Sequence, residues 1–471
     1  MVSEYLGLNL VDNDGETAFS ECREPVIALE LLASRMSSRL GDRDFAESVD
    51  KDDPLHELQS EFLFPRLNNR NVIYFVGNSL GLQPKDCTRY IQSELDSWSN
   101  RGVNGHFEGS RPWLNFDDLL KDEMARIVGA LGSEIALMNS LTVNLHLLLI
   151  RFFNRDTTRD FKRSKVIIES KSFPSDFYAI ESQMRLHGLD PRESVIQLSP
   201  RDGEYILRTE DVVSAIENAG DELAVVMLPG IQFYTGQLFE IREITKAAHA
   251  VGAYALWDLA HAAGSVDLKL HDWDVDGACW CSYKYLNSGP GGIGGFFIHQ
   301  RHFNKPVDRL LGWWSHDVST RFEMSNIYEP SKGASEFRLS NVPILSAASL
   351  LSSLKVFEKT DMKTLRAKSL LLTTYLEYLL EDLCEHVRED FRFKIITGKI
   401  RGPQLSLLFS SDDMARRICA RLEQLGVMID YRKPGLVRPA PAPLYCSFTD
   451  VFEFRDLLAQ VIRELEEEFS N

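Results

Sequence analysis

Short apolar runs alternate with helical patterns through the middle of this chain, and this alternation constrains its fold more than any other feature. Five runs of β-branched and apolar residues have the length of buried strands: 166–169, 223–228, 253–257, 277–281 and 295–299. Helical patterns cover 209–218 and 241–251, and a glycine follows each at 220 and 252. Buried strands joined by helices need crossover connections, so the sequence predicts an α/β fold with a mostly parallel central sheet.

Beyond residue 340 the pattern changes to that of a smaller α+β module. The expected elements there are helices over 347–358, 372–383 and 457–465 and strands over 393–397, 405–409 and 427–431. The first 70 residues look helical and acidic. We therefore expect an N-terminal helical segment (1–70) that packs with a small C-terminal domain (341–471), and a large domain between them (71–340).

Charge and composition exclude several classes of protein. The chain has 52 Lys and Arg against 69 Asp and Glu, a net charge of −17, so it lacks the overall basic character typical of a nucleic-acid partner. Its longest apolar stretch, near 145–150, is too short to cross a bilayer, and the first residues do not form a secretory signal. We expect no membrane partner and a cytoplasmic location.

The cysteine content agrees with a reducing compartment. There are seven cysteines, an odd number with no CxxC pair: Cys22, Cys87, Cys279, Cys281, Cys384, Cys419 and Cys446. We expect buried free thiols and no metal site.

The residues best suited to chemistry lie between Asp258 and Gly295. Asp258 directly follows an apolar strand, where a parallel sheet places functional groups at its carboxyl edge. Lys284 closes the next strand 26 residues later, beside Tyr283. Trp280 and its neighbours are poor solvent-facing residues, so Lys284 is expected to point into a cleft rather than into solvent. A lysine held there is an amine nucleophile able to form an imine with a carbonyl compound.

Asp258 suits a cofactor that such a lysine would bind. In pyridoxal phosphate (PLP), a carboxylate beside the ring nitrogen keeps that nitrogen protonated and makes the ring an electron sink. The alternative is that Asp258 caps the start of a helix, and the two roles are compatible. His261, one helical turn further on, is read equally well as structural or functional.

A glycine-rich segment offers a competing interpretation. Residues 289–294 match GxGxxG, the fingerprint of dinucleotide-binding folds, which should follow a strand and open a helix. Here the glycines lead into an apparent strand at 295–299, and no acid ends a strand about 20 residues later. An NAD oxidoreductase is therefore disfavoured, and the glycines are expected to let the backbone turn beside the lysine.

Together these residues resemble the fold-type I PLP enzymes and, more narrowly, the kynureninase family. The segments that carry the resemblance are FVGNSLGLQP (75–84), NGHFEGSRPW (104–113), ALMNSLTVNLH (136–146), FPSD (173–176), FYTGQ (233–237), HDWDVDGACWCSYKYLNSGPGGIGG (271–295), GWWSH (312–316), FRLSNVPIL (337–345) and RPAPAPLYCSF (438–448).

The resemblance implies a fold, a reaction and an assembly. The fold would have a large PLP-binding domain and a smaller α+β C-terminal domain. The reaction would be hydrolysis of L-kynurenine or 3-hydroxykynurenine to anthranilate or 3-hydroxyanthranilate plus L-alanine, in tryptophan catabolism and pyridine nucleotide biosynthesis. The assembly would be a homodimer with shared active sites. Another fold-type I enzyme, such as an aminotransferase or a cysteine desulfurase, is the alternative; a desulfurase needs a cysteine on a mobile loop, whereas Cys384 and Cys419 lie in helical patterns.

The resemblance also implies the residues of the cofactor site. Lys284 would bind PLP covalently and then remove the substrate α-proton, Asp258 would pair with the ring nitrogen, and Tyr283 would shuttle protons. The other cofactor-binding residues would be Leu141 and Thr142 (phosphate, through backbone amides), Tyr234 and Tyr283 (phosphate, through hydroxyls), Phe173 (stacked on the ring), Asp176, His261, and Trp313 and Asn341 from the neighbouring subunit. Without the resemblance, Phe173 is equally well read as a core aromatic.

Three residues would bind the substrate. Arg438 would form a bidentate pair with the α-carboxylate, although a surface ion pair is the alternative. His106 and Asn341 would face the aniline ring. The resemblance fails at Pro229, where animal members of the family have a serine; proline has neither a hydroxyl nor an N–H, so we leave Pro229 out of the expected site.

Overall fold

The computed structural model describes residues 1–5, 24–153, 163–303 and 309–470. The chain divides into two units: a central unit, Asp86–Phe233 with Phe239–Glu358, and a terminal unit, Met1–Lys85 with Tyr234–Leu238 and Lys359–Asn471. Cys22 lies outside the described residues. The other six cysteines are all free thiols.

The bounds of the elements follow in chain order. The helices are α1 Val2–Tyr5, α2 Glu24–Met36, α3 Arg43–Asp52, α4 Cys87–Arg101, α5 Asp118–Val128, α6 Leu141–Phe152, α7 Pro174–Leu186, α8 Pro191–Ser194, α9 Thr209–Ala219, α10 Ile241–Ala250, α11 Ile344–Phe357, α12 Met362–His386, α13 Asp412–Gln424 and α14 Phe448–Ser470. The strands are β1 Phe62–Leu63, β2 Arg66–Leu67, β3 Arg70–Asn71, β4 Ile73–Tyr74, β5 Gln83–Pro84, β6 Ile135–Leu137, β7 Lys165–Glu169, β8 Val195–Leu198, β9 Leu223–Pro229, β10 Tyr254–Asp258, β11 Gly277–Cys281, β12 Gly294–Ile298, β13 Phe393–Ile395, β14 Leu407–Phe409, β15 Val427–Met428, β16 Asp430–Arg432 and β17 Leu436–Arg438.

A seven-stranded sheet forms the centre of the central unit. Its strand order is β6-β12-β11-β10-β9-β7-β8, and only β12 runs antiparallel to its neighbours. The mostly parallel sheet predicted from the sequence is confirmed, and the five predicted strands are present within one residue at either end. Every residue of β9, β11 and β12 is buried, which explains why these strands read as continuous apolar runs.

Helix α6 covers part of this sheet and supplies much of its core. Leu145, Leu148 and Phe152 of α6 belong to one buried apolar cluster with Leu256 of β10 and Cys279 of β11. Removal of this apolar surface from water is the main term that stabilises such a layer.

The glycine-rich segment leads into a strand rather than a helix. Gly294 and Gly295 are the first residues of β12, which pairs antiparallel with β11. This geometry does not fit a dinucleotide fingerprint, which opens a helix, and the expectation from the sequence is confirmed.

The terminal unit contains both helices and strands, but the helix expected over 347–358 belongs to the central unit as part of α11. A four-stranded antiparallel sheet, β13-β14-β17-β16, lies beside long helices, and α2 and α3 pack against α12 and α14. The carboxylate of Asp50 in α3 accepts the backbone N–H groups of Phe448 and Thr449 at 2.6 and 2.8 Å. This contact satisfies two N–H groups at the start of α14 that have no partner within the helix.

One predicted strand is wrong as a single element. The run 427–431 splits at Ile429: β15 pairs in parallel with β4, whereas β16 pairs antiparallel with β17. The change of partner is a long-range event, because β4 lies some 350 residues earlier in the chain.

Among the described helices, none combines the length and the apolar character needed to span a lipid bilayer.

We expect Gly295→Ala to destabilise the central sheet. Gly295 pairs directly with the buried Trp280, and a Cβ at position 295 would lie 2.0 Å from the indole Cε2. Overpacking of this kind costs about 1–3 kcal/mol, which urea unfolding would measure. Gly41→Ala is the matched control, because a Cβ there meets no atom within 4 Å. Equal stability of the two variants would contradict the packing described here.

Candidate active site

A pocket of about 210 Å³ lies in the central unit at the carboxyl ends of the parallel strands. Eight residues predicted from the sequence line it together: Leu141, Thr142, Phe173, Asp176, Asp258, His261, Tyr283 and Lys284. These residues lie in four separate segments of the sequence, and the fold brings them to one edge of the sheet.

Asp258 and Lys284 meet because their strands are parallel neighbours. Asp258 is the last residue of β10 and pairs with Cys279 of β11. Strand β11 ends at Cys281, and Lys284 lies in the loop that follows. Residues 282–293 then form a loop that returns to the same edge, where Gly294 pairs with Cys281. Ser282 Oγ donates to the carbonyl of Ile293 at 2.5 Å and lies 2.6 Å from Ser288 Oγ, so the two ends of the loop are tied together.

The Asp258 side chain is buried and held in a turn. Its Oδ1 accepts the backbone N–H of Ala260 at 2.7 Å. No α-helix begins here among the described residues, so the helix-cap interpretation is wrong, although the carboxylate does accept a local N–H.

Asp176, in the first turn of α7, forms a hydrogen bond with Asp258. Burial, followed by the charge of Asp258, raises the pKa of Asp176 well above its usual range. Burial also raises the pKa of Asp258, but the Ala260 N–H, the charge of Lys284 and the bond from Asp176 oppose this rise. Asp176 therefore keeps its proton and donates a hydrogen bond to Asp258, which remains the anionic member of the pair.

Phe173 presents its ring to the pocket. It is 44% exposed and packs edge-on against Phe233, with ring centroids 5.2 Å apart. The Lys284 ammonium lies 6.0 Å from the centroid of Phe173. The exposure excludes the reading of Phe173 as a core aromatic and leaves a flat apolar face open beside the lysine.

Tyr283 is a neutral phenol in this environment. Burial, followed by the neighbouring Cys281, raises its pKa above the usual range for tyrosine. Tyr283 can therefore donate a proton or a hydrogen bond at neutral pH.

Leu141 and Thr142 are the first two residues of α6. The N–H groups in the first turn of a helix have no partner within that helix, and the positive end of the helix dipole lies there. This end of the pocket suits a phosphate group without a charged side chain.

Two predicted residues belong to the terminal unit. The Tyr234 hydroxyl donates to the carbonyl of Pro434 at 3.3 Å. Arg438 in β17 is buried and forms an ion pair with Asp430, its direct partner in β16. The ion pair of Arg438 is therefore buried and does not lie on the surface. The ligand roles of Tyr234 and Arg438 stay predictions.

His106, Asn341 and Trp313 lie elsewhere in the central unit. His106 packs edge-on against Trp113 at 5.3 Å, and Asn341 Nδ2 donates to the carbonyl of Trp113 at 3.5 Å. Trp313 packs against Phe322 at 5.4 Å. None of the three is among the residues that line the 210 Å³ pocket.

Seven residues that line the pocket were not in the site predicted from the sequence, and two of them, Glu169 and Pro229, end strands of the sheet. Glu169 ends β7 and lines the pocket, as Asp258 does from β10; an acid closing a predicted strand was the available signal. Pro229 ends β9 between them, pairs with Asp258 and also lines the pocket. The expectation that Pro229 lies outside the site is therefore wrong. It contributes an apolar wall to the pocket, although it has no N–H to donate.

Two family models match the chain. The aminotransferase class-V model matches residues 162–390, and the kynureninase C-terminal domain model matches residues 365–458. The two matches overlap in α12 and together span all the strands of the central sheet except β6.

Full-length relatives are also similar. The chain is 46% identical to the kynureninase of Mus musculus over 93% of this chain and 97% of that protein. It is 45% identical to the kynureninase of Homo sapiens (94% and 98%) and 47% identical to that of Myxococcus xanthus (89% and 97%).

Solved structures share the fold at much lower identity. A cysteine desulfurase from Thermococcus onnurineus matches 83% of this chain and 95% of its own with a TM-score of 0.67 at 19% identity. A C-DES mutant with glycine covalently linked to its PLP cofactor matches 84% and 98%, with a TM-score of 0.69 at 16% identity. At these identities the similarity shows the fold alone, the fold-type I arrangement predicted from the sequence.

The pocket alone does not distinguish one kind of PLP enzyme from another. Sequence identity of 45–47% to kynureninases, over most of this chain and nearly all of theirs, does distinguish them. The chain belongs to the kynureninase family of PLP-dependent hydrolases.

Proposed function

We propose that this chain hydrolyses the Cβ–Cγ bond of L-kynurenine, 3-hydroxy-L-kynurenine or both, with Lys284 as the residue that binds PLP. The products are anthranilate or 3-hydroxyanthranilate and L-alanine. The observation that carries the proposal is the placement of Lys284, the buried Asp258 and the open Phe173 ring in one pocket.

The residues of the pocket fit the cofactor. The first turn of α6 offers amides to a phosphate, Phe173 offers a flat face to a ring, and Asp258 offers a buried carboxylate to a protonated ring nitrogen. When bound, PLP supplies the electron sink that accepts the charge left on the substrate when its α-proton is removed.

The bond from Asp176 suits Asp258 to this task. A carboxylate that accepts one O–H and one N–H is fixed in direction and keeps its charge in a buried site. We infer that Asp176 acts through Asp258 as a positioning residue, and that His261 lines the pocket beside it.

Proton transfer falls to the loop after β11. With the cofactor and the substrate bound, the amine of Lys284 would be the base that takes the α-proton. Tyr283 is a neutral acid beside it, which supports a role in returning protons and in the addition of water to the γ-ketone.

Recognition of the substrate is assigned to three further residues. Arg438 is proposed to bind the α-carboxylate, a task that suits a guanidinium fork. His106 and Asn341 are proposed to face the aniline ring, and both contact Trp113. Tyr234 is proposed as a phosphate ligand through its hydroxyl.

We propose that the active form is a homodimer to which Trp313 and Asn341 contribute across the interface. Three partly exposed aromatic residues form an aromatic patch: Phe107, Trp313 and Phe322, with ring centroids 5.4–6.0 Å apart along the chain of contacts. Exposed clustered aromatics are typical of a protein–protein interface.

The free thiols support a reducing location. The six described cysteines form no disulfide. We propose the cytoplasm, where such thiols persist.

Replacement of Lys284 tests the central assignment. Lys284→Ala should lower kcat by more than about 100-fold and abolish covalent labelling by PLP and borohydride, because its amine both binds the cofactor and moves the proton. Peptide mass mapping locates the label. Lys269→Ala, an exposed lysine on the same unit, should keep both properties; a label at any residue other than 284 would overturn the proposal.

Replacement of Arg438 tests substrate recognition. Arg438→Lys keeps the charge but loses the fork, so KM should rise about 10- to 100-fold, as expected for a charge-assisted hydrogen bond of about 1.5–3 kcal/mol. The Kd for PLP should not change. Arg432→Lys, which also approaches Asp430, is the matched control. Equal losses in KM and in PLP affinity would show that Arg438 is structural.

Replacement of Phe322 tests the dimer. Phe322→Glu places a charge in the aromatic patch, so sedimentation should show a monomer and kcat should fall about 100-fold as shared residues lose their position. Leu186→Glu, a more exposed apolar residue in α7, should leave a dimer. A wild-type monomer, or a Phe322→Glu dimer, would contradict the interface.

A further inference from the structure

Glu169 is a buried acid in the cofactor pocket with no role in the reaction described above. It ends β7, and β9 alone separates it from β10, which ends in Asp258. It is only 4% exposed and lines the pocket with Asp258 and Lys284. Buried acids are rare unless they are paired, so this position calls for a partner.

The protein itself supplies Glu169 with little. Its Oε1 accepts the Gln232 amide at 3.4 Å, but the same amide nitrogen lies closer, at 3.0 Å, to the carbonyl of Lys171. Across the described residues, no other hydrogen bond reaches the Glu169 carboxyl. One oxygen of this side chain therefore remains for a ligand in the pocket.

The surrounding charges decide the form in which Glu169 is present. The titratable groups that line the pocket with it are Asp176, Asp258, His261, Cys281, Tyr283 and Lys284. Burial, followed by the charge of Asp258, raises the pKa of Glu169 to about 8. At neutral pH the side chain is an uncharged acid whose O–H can donate, and an O–H buried without an acceptor is costly.

We propose that Glu169 is a further cofactor-binding residue, which keeps its proton and donates a hydrogen bond to an oxygen of bound PLP. The proposal rests on the proposed function in placing the cofactor in this pocket. Three elements at the same sheet edge would then each offer one polar group to the cofactor. These groups are the neutral acid of Glu169 from β7, the anionic acid of Asp258 from β10 and the amine of Lys284 from the loop after β11.

The test compares PLP affinity among variants of the cofactor-free protein, measured by equilibrium dialysis. Glu169→Gln keeps the size and an N–H donor, so its Kd at pH 7 should stay within about threefold of the wild type. Glu169→Met removes the donor, so its Kd should rise about five- to tenfold, as expected for one hydrogen bond. Glu193→Gln, an exposed acid in α8, is the control and should bind as the wild type does.

The pH dependence separates a donor from a structural residue. As pH rises through about 8, Glu169 loses its proton; it can then no longer donate, and its new charge repels an anionic ligand. From pH 7 to pH 9 the Kd of the wild type should therefore rise several-fold more than that of Glu169→Gln, while titrations common to both proteins cancel.

Two results would overturn the inference: a Glu169→Met protein that binds PLP as the wild type does, or identical pH dependence in the wild type and Glu169→Gln. If Glu169→Met does not fold, the comparison with Glu169→Gln decides alone. Borohydride labelling of wild-type Lys284 in the same samples separates the inference about Glu169 from the proposed function. Absence of that label would refute the proposed function, whereas the affinity measurements decide the role of Glu169.

Discussion

The active-site pocket depends on one hydrogen bond between two carboxyl groups. Asp176 and Asp258 are both buried, and two negative charges so close in a poorly polarisable site would repel strongly. One proton removes the conflict: Asp176 becomes a donor, and Asp258 keeps a single charge aimed by two hydrogen bonds. The Lys284 cation, the Phe173 face and the helix end at Leu141 then surround one fixed anion.

The sequence was sufficient to predict the sheet and the main acid–amine pair, because both depend on local signals. Continuous apolar runs such as 223–228 arise from burial on both faces of a strand, and Asp258 and Lys284 each follow such a run. Parallel strands must bring such residues to one edge. The roles of Phe173, Leu141 and Thr142 needed the family resemblance, since nothing local distinguishes them from ordinary core and helix residues.

The remaining features depend on contacts between distant segments. The change of partner between β15 and β16 depends on β4, and the partner of Arg438 became evident only when Asp430 was placed opposite it by the β16–β17 register. Pro229 and Glu169 were overlooked for different reasons. Pro229 was judged by the hydroxyl it lacks rather than by its place at the sheet edge, and Glu169 is a strand-ending acid whose proximity to Asp258 depends on the strand order.

The single antiparallel strand has a consequence for the way Lys284 is held in the pocket. Because β12 returns beside β11, Lys284 sits on a hairpin whose two feet are fixed at Cys281 and Gly294, and Ser282 closes its base. Of the twelve residues between those feet, Ser282, Leu286, Asn287 and Ile293 are almost fully buried, so the segment that presents the amine is part of the core. A substitution or a change of length there would therefore disturb the packing beneath the pocket as well as the position of Lys284.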